Sequence, residues 1–155
     1  MNPNERLIRN LQLRGETISV AESVTGGLLA AELTSVPGSS EVFLGGIVAY
    51  SIKSKVQELG ISKNLIDEFG VYSEEVAFEM ASKVRNKFDS VWSIATTGVA
   101  GPGPATGIPA GSIWLAIIGP TGAQNIQLSL QGSRTEIRIG AVTSAVAALE
   151  RILEQ

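Results

Sequence analysis

Neither cysteine nor histidine occurs in the 155-residue sequence. Their absence removes disulfides, thiolate catalysis, His-based zinc sites and a Ser-His-Asp triad from consideration. A carboxylate-bound magnesium ion stays compatible. If a serine reacts in this chain, its base has to be a lysine, tyrosine, aspartate or glutamate. The net charge is −3 and no block of Lys and Arg stands out, which argues against a nucleic-acid-binding surface and leaves room for a local basic pocket only. No uninterrupted apolar run reaches the length of a bilayer span, so no membrane segment is expected. The opening Met-Asn-Pro-Asn-Glu-Arg lacks a basic stretch followed by an apolar core. It does not read as a signal peptide, and a cytoplasmic location is expected.

What is present describes a globular protein. Hydrophobic residues make up 44% and charged residues 17%, a balance that favours a packed core over disorder. The length suits a single domain over residues 1–155. The 17 glycines exceed average usage and cluster in turns. Residues 4–14 carry Leu7, Ile8 and Leu11 on one face and end at Gly15, which predicts a helix. A strand follows over 17–22, then a helix over 25–35 that stops at Pro37-Gly38. Val42–Tyr50 is β-rich, and Gly45-Gly46 within it suggests a bulge or a close backbone approach. Short helices are expected from Ser51 to Leu59 and from Ser62 to Phe69, closed by Gly60 and Gly70. Ser73 can cap a long helix over Glu74–Phe88 with Val76, Met80 and Val84 on one face. Val91–Thr97 reads as a strand buried on both faces. Ser112–Ile118 and Asn125–Leu130, around Pro120-Thr121-Gly122, read as a hairpin. Ser133 and Glu136 fit a capping box for a last helix ending near Leu153. Strands interleaved with helices, plus one hairpin, predict a three-layer α/β/α sandwich on a mixed sheet, with no internal repeat and no linker.

Four segments could carry chemistry. In Ala21-Glu22-Ser23-Val24-Thr25-Gly26-Gly27, a strand ends in a hydroxyl and turns through glycines into a helix. Such a turn holds the hydroxyl at the mouth of a sheet and aims the first N–H groups of the helix at a ligand. Ser23 or Thr25 equally fits a plain helix cap. Tyr50-Ser51-Ile52-Lys53-Ser54-Lys55 forms another strand-to-helix junction, where the Lys55 amine can reach back over the strand end while Lys53 faces solvent. A desolvated lysine can serve as a base; a solvated one cannot near neutral pH. The loop Gly98–Gly111 is neither a Rossmann fingerprint nor a P-loop, since it leads into a strand and has no Gly-Lys-Ser/Thr. It is either a pocket wall or an ordinary long connection. Arg134 sits in the first turn of the last helix, a place where a cation gains only if it meets an anion, or else simply faces solvent.

In order and spacing, these segments resemble one family. Ala21–Gly27 is similar to its Ala-Glu-Ser-Cys-Thr-Gly-Gly signature. Pro37-Gly38-Ser39-Ser40, Gly45–Ser51, Val71–Val76, Thr97–Pro102 and Gly111–Trp114 follow in sequence. The family is the C-terminal domain family of the competence/damage-inducible protein CinA, whose standalone members include PncC-type nicotinamide mononucleotide deamidases. The resemblance spans nearly the whole chain, without the amino-terminal domain of full-length CinA proteins. It implies a mixed, mostly parallel five-stranded sheet and an amidohydrolase that turns nicotinamide mononucleotide and water into nicotinate mononucleotide and ammonia. By motif, the nucleophile falls on Ser23, assisted by Lys55 and Tyr50, with Thr97 and Arg134 at further site positions. Neutral Lys55 would take the Ser23 proton directly or through Tyr50, with Tyr50 itself or a water-bridged carboxylate such as Glu22 as the fallback base. N–H groups near Gly26-Gly27 or Thr97-Gly98 would hold the oxyanion, and Arg134 with a helix N-terminus would hold the phosphate. Substrate contacts are expected at Thr25, Gly26, Gly27, Gly98, Gly101 and Arg134. No metal and no cofactor is required. The expected partner is a small pyridine mononucleotide, and a homo-oligomer is implied by the resemblance alone. The chain departs from the family pattern at Val24, Ile52, Ile108 and Ser133, which bears on the substrate more than on the fold. A hydrolase of a different amide and a non-catalytic binding module are the competing readings.

Overall fold

Asn2 and Glu5 cap one another's amides and start α1 (Pro3–Arg14), with Pro3 in the first turn, where its missing N–H costs nothing. The computed structural model describes residues 1–155. The chain continues as β1 (Ile18–Glu22), α2 (Leu28–Thr34), a 3₁₀ turn at Ser39–Glu41 and β2 (Phe43–Val48). Three helices follow: α3 (Ile52–Leu59), α4 (Lys63–Phe69) and α5 (Glu74–Phe88). The last elements are β3 (Trp92–Gly98), β4 (Ser112–Gly119), β5 (Gly122–Ser129) and α6 (Arg134–Leu153). Ser51, Ser62, Ser73 and Ser133 each accept an amide hydrogen bond at the start of their helix, as their positions in the sequence predict.

The strands form one sheet in the order β2-β1-β3-β4-β5. β1 is parallel to β2 and β3, whereas β4 is antiparallel to both β3 and β5. Every strand except β4 therefore runs the same way, which gives the mixed, mostly parallel sheet with one hairpin. Alternation along the strands sends large aliphatics to one face and small residues to the other. Ile18, Val20, Ile94, Ile113, Leu115 and Ile117 meet α1, α2 and α6 in the larger core. Ala21, Ala95 and Ala116 meet α3, α4 and α5. On that second face the Ser93 hydroxyl donates to the Ala81 carbonyl at 2.8 Å, and Ser19 pairs with Ser90 at 2.7 Å, so no buried hydroxyl lacks a partner. The close packing reaches the edge strand. A Cβ on Gly45 would lie 2.5 Å from the Phe88 ring, so the close approach is realised there, whereas the β1–β2 register shift between Ile18 and Ser19 skips Leu44, just before the glycine pair.

Two element starts differ from expectation by three residues. Helix α2 starts at Leu28 rather than 25, because Gly26 and Gly27 take positive φ angles and continue the turn. Strand β5 starts at Gly122 rather than Asn125, with Gly119 paired to Gly122 across Pro120-Thr121. At a sheet edge, polar Gln124 and Asn125 face water without cost to the ladder.

The topology fixes where a ligand can bind. From β1 the chain moves through α2 to the β2 edge, and from β3 it moves through the hairpin to the opposite edge. The carboxyl ends of β1 and β3 therefore flank a switch point, the usual crevice for ligands in open α/β sheets. Glu22 pairs with Thr96 as the last rung there, which sets Ser23 beside the end of β3.

Candidate active site

Ser23 stands one residue past β1, its amide donating to the Thr96 carbonyl at 2.9 Å. It is 5% exposed. Lys55 comes to it from the first turn of α3, which the Ser51/Ser54 capping box starts. The Lys55 amine lies 2.8 Å from Ser23 Oγ, 2.8 Å from the Ala49 carbonyl and 3.2 Å from the Tyr50 carbonyl. Lys55 is 1% exposed, the most deeply buried cation in the chain. No carboxylate pairs with it: the ion pairs are Arg6–Glu150, Arg14–Glu16 and Lys63–Asp67, all elsewhere. Burial without a counter-ion pushes its pKa down from 10.5 to about 8.

The three neighbours decide what each protonation state can do. Two are carbonyls, which only accept, so two N–H bonds are committed to them. The third position faces Ser23 Oγ. In the ammonium form it holds an N–H that donates to Oγ; in the amine form it holds the lone pair, and the Ser23 hydroxyl donates to it. The neutral lysine is thus already in line to take the serine proton.

Glu22, the nearest carboxylate in sequence, is committed to structure. One oxygen accepts from the Leu29 amide at 2.8 Å and from the Thr25 hydroxyl at 2.6 Å; the other accepts from the Ala30 amide at 3.0 Å. The Leu28 amide turns back to the Thr25 carbonyl. The first-turn N–H groups of α2 are therefore spent inside the protein rather than aimed at a ligand, which corrects the expectation for this turn. Neither Ser23 nor Thr25 caps α2 directly, since its N-cap is Gly27. The Thr25 hydroxyl is buried between Glu22 and Thr96, and Thr25, Gly26 and Gly27 do not line the cleft.

A cleft of about 180 Å³ opens over Ser23. Val24, Tyr50, Tyr72, Arg134 and the residues from Gly98 to Ala105 complete its lining. The Gly98–Gly111 loop is thus a cleft wall, pinned at its base by Gly111 N–H to the Val99 carbonyl at 2.7 Å. Gly98 and Gly101 both line it. Gly98 has a packing reason as well, because a Cβ there would lie 2.4 Å from the Ser112 carbonyl oxygen. The Tyr50 side chain is 58% exposed and its hydroxyl accepts from Arg134 Nη2 at 3.0 Å. Only its main-chain carbonyl touches Lys55, so no hydroxyl relay joins Ser23, Tyr50 and Lys55 here. Arg134 also donates to the Gly101 carbonyl and has no carboxylate partner, so its charge is free for an anion. Thr97 is fully buried, and its hydroxyl donates to the Val71 carbonyl at 3.0 Å rather than entering the cleft. Alternation explains this: Thr96 and Thr97 point to opposite faces of β3, one toward Thr25 and the other toward the segment that carries Tyr72.

Sequence reasoning missed Tyr72 and Arg138. Tyr72 lies in the connection before α5, where no periodicity marks it. Arg138 follows Arg134 by four residues on α6, a spacing that puts both on one helix face and could have flagged it. The departures from the family pattern lie mostly away from the chemistry. Ser133 caps α6 as an aspartate would, and Ile108 closes a turn with Ala105 outside the cleft lining.

Residues 2–153 match the family described as the CinA C-terminal domain. A CinA-like protein of Prochlorococcus marinus is 45% identical over 150 residues, which is 96% of this chain and 35% of that protein. The chain spans about a third of the length of the curated relatives it matches. Among solved structures, a CinA superfamily protein from Klebsiella pneumoniae superposes with a TM-score of 0.95 at 28% identity, covering 99% of both chains. A competence/damage inducible protein from Agrobacterium tumefaciens gives 0.89 at 33% identity, covering 100% of this chain and 98% of its own.

Proposed function

This chain belongs to the CinA C-terminal domain family, and from that premise we propose that it is an amidohydrolase that deamidates nicotinamide mononucleotide through an acyl-enzyme on Ser23. The observation that carries the reading is the 2.8 Å contact between Ser23 Oγ and a buried, counter-ion-free Lys55. A general base of this kind contributes about 10²–10⁴-fold when its pKa lies near the working pH.

The steps follow from that contact. Neutral Lys55 takes the Ser23 proton as Oγ attacks the carboxamide carbon. The carbonyl electrons move onto oxygen, and backbone amides beside Ser23 hold that charge. On collapse the C–N bond breaks, the Lys55 ammonium returns its proton to the leaving nitrogen, and ammonia departs. Water attacks the ester with Lys55 again taking its proton; the bond from the carbonyl carbon to Oγ breaks, the Lys55 ammonium returns the proton to Ser23, and nicotinate mononucleotide leaves. Because the Tyr50 hydroxyl is engaged by Arg134, the proton passes directly between serine and lysine. The substrate class fits the rest of the cleft. Arg134 offers an unpaired cation for a phosphate. The chain has only two tyrosines, and both line this cleft, where an aromatic face attracts a cationic pyridinium ring.

Ammonia release from a panel of nicotinamide mononucleotide, its riboside, free nicotinamide and unrelated carboxamides tests the reading. Turnover of the mononucleotide well above the others is expected. Preference for an unrelated amide would keep the machinery and replace the substrate; release from none of them would leave a binding module.

A further inference from the structure

The turn after Ser23 is gripped from outside the cleft. Arg138 of α6 donates through Nε to the Val24 carbonyl at 3.2 Å and through Nη2 to the Thr25 carbonyl at 3.0 Å. Like Arg134, it has no carboxylate partner. The grip leaves little slack, since a Cβ on Gly26 would come within 3.1 Å of Arg138 Nη2. The peptides here are trans, so each C=O and the N–H of the same plane point in opposite directions. With the Val24 carbonyl held toward α6, the Thr25 N–H points away from it. The Ser23 carbonyl accepts from Gly26 N–H at 3.0 Å, which turns the Val24 N–H outward from the turn. Neither of these amides has a partner within the protein, and Val24 lines the cleft next to Ser23. A guanidinium on the carbonyl side of a peptide also polarises it and strengthens its N–H as a donor.

We propose that Arg138 is a positioning residue that locks the turn after Ser23, so that the Val24 amide, in the cleft lining beside Ser23, stands as the oxyanion donor. The proposal rests on Ser23 being the nucleophile and is independent of the pyridine substrate.

The rate at which a fluorophosphonate probe labels Ser23 tests it, because that reaction develops charge on an oxygen beside the serine without any pyridine. Arg138→Met and Arg138→Lys should label about 10- to 100-fold more slowly than wild type, since a displaced donor forfeits that much. Lys55 is untouched in both, so the pH midpoint of labelling should stay near 8 while the plateau falls. Guanidinium ion added to Arg138→Ala should restore part of the rate. A wild-type rate in the variants, or a loss that merely tracks the folded fraction and is not rescued, would overturn the proposal. Failure to label wild-type Ser23 would overturn it together with the nucleophile. Labelling that depends on Arg138 in a protein that releases no ammonia from nicotinamide mononucleotide would uphold it and remove only the substrate.

Discussion

Replacing Ser23 with alanine removes one hydroxyl and keeps the amide that ties the residue to Thr96. Ammonia release by the purified variant should fall by roughly 10³–10⁴-fold, the scale seen when an activated nucleophile is lost; near wild-type turnover would make the serine a structural hydroxyl. Lys55 links the same chemistry to stability. Its pKa falls from 10.5 to about 8 on folding, so between those values the unfolded chain binds more protons than the native one. Stability therefore rises with pH across that window. The difference in unfolding free energy between wild type and Lys55→Met should grow with pH there, by at most about 3 kcal/mol, and a flat difference in denaturant titrations would contradict the burial of a titrating amine. Ser23 and Lys55 were legible because each follows a strand at a helix start, where a side chain reaches the sheet mouth. Thr97 was legible as a position but not as an orientation, which depends on which face of β3 meets the Tyr72 segment.

Among the elements, α2 shows what pattern reading lacks. Its cap is the carboxylate of Glu22, contributed by the preceding strand across the glycine turn, so no local Ser-x-x-Glu signal exists. Glu22→Gln keeps one acceptor oxygen and loses the charge at the helix start, and should cost about 1–3 kcal/mol in denaturant unfolding. An unchanged midpoint would mean that the turn holds without it. Helices α3 to α6 were readable because their caps are local serines, α1 because Leu7, Ile8 and Leu11 share a face ahead of Gly15, and β1, β3 and β4 because they are short β-rich or apolar runs bounded by turn residues. The start of β5 was not, since an edge strand tolerates polar residues that elsewhere mark a loop.

On the scale of the whole molecule, the layers could be read from the order of elements, but the strand order could not, since nothing local records which edge a crossover reaches. That order makes the crevice, by setting the ends of β1 and β3 side by side and bringing α3, α6 and the Gly98–Gly111 loop over them. Arg134 joins the site only through this assembly. Arg134→Ala should weaken the mononucleotide far more than the riboside, read as a rise in KM; equal losses for both would assign the arginine to the loop and Tyr50 instead. The central claim is that neutral Lys55 takes the Ser23 proton. The measurement closest to it is the pH dependence of kcat/KM for ammonia release from nicotinamide mononucleotide, compared between wild type and Lys55→Arg. The wild-type profile should rise through a single ionisation near 8, as the buried ammonium loses its proton, and Lys55→Arg should stay close to background at every pH because arginine keeps its proton. A profile with no ionisation in that region, or an active Lys55→Arg enzyme, would contradict it.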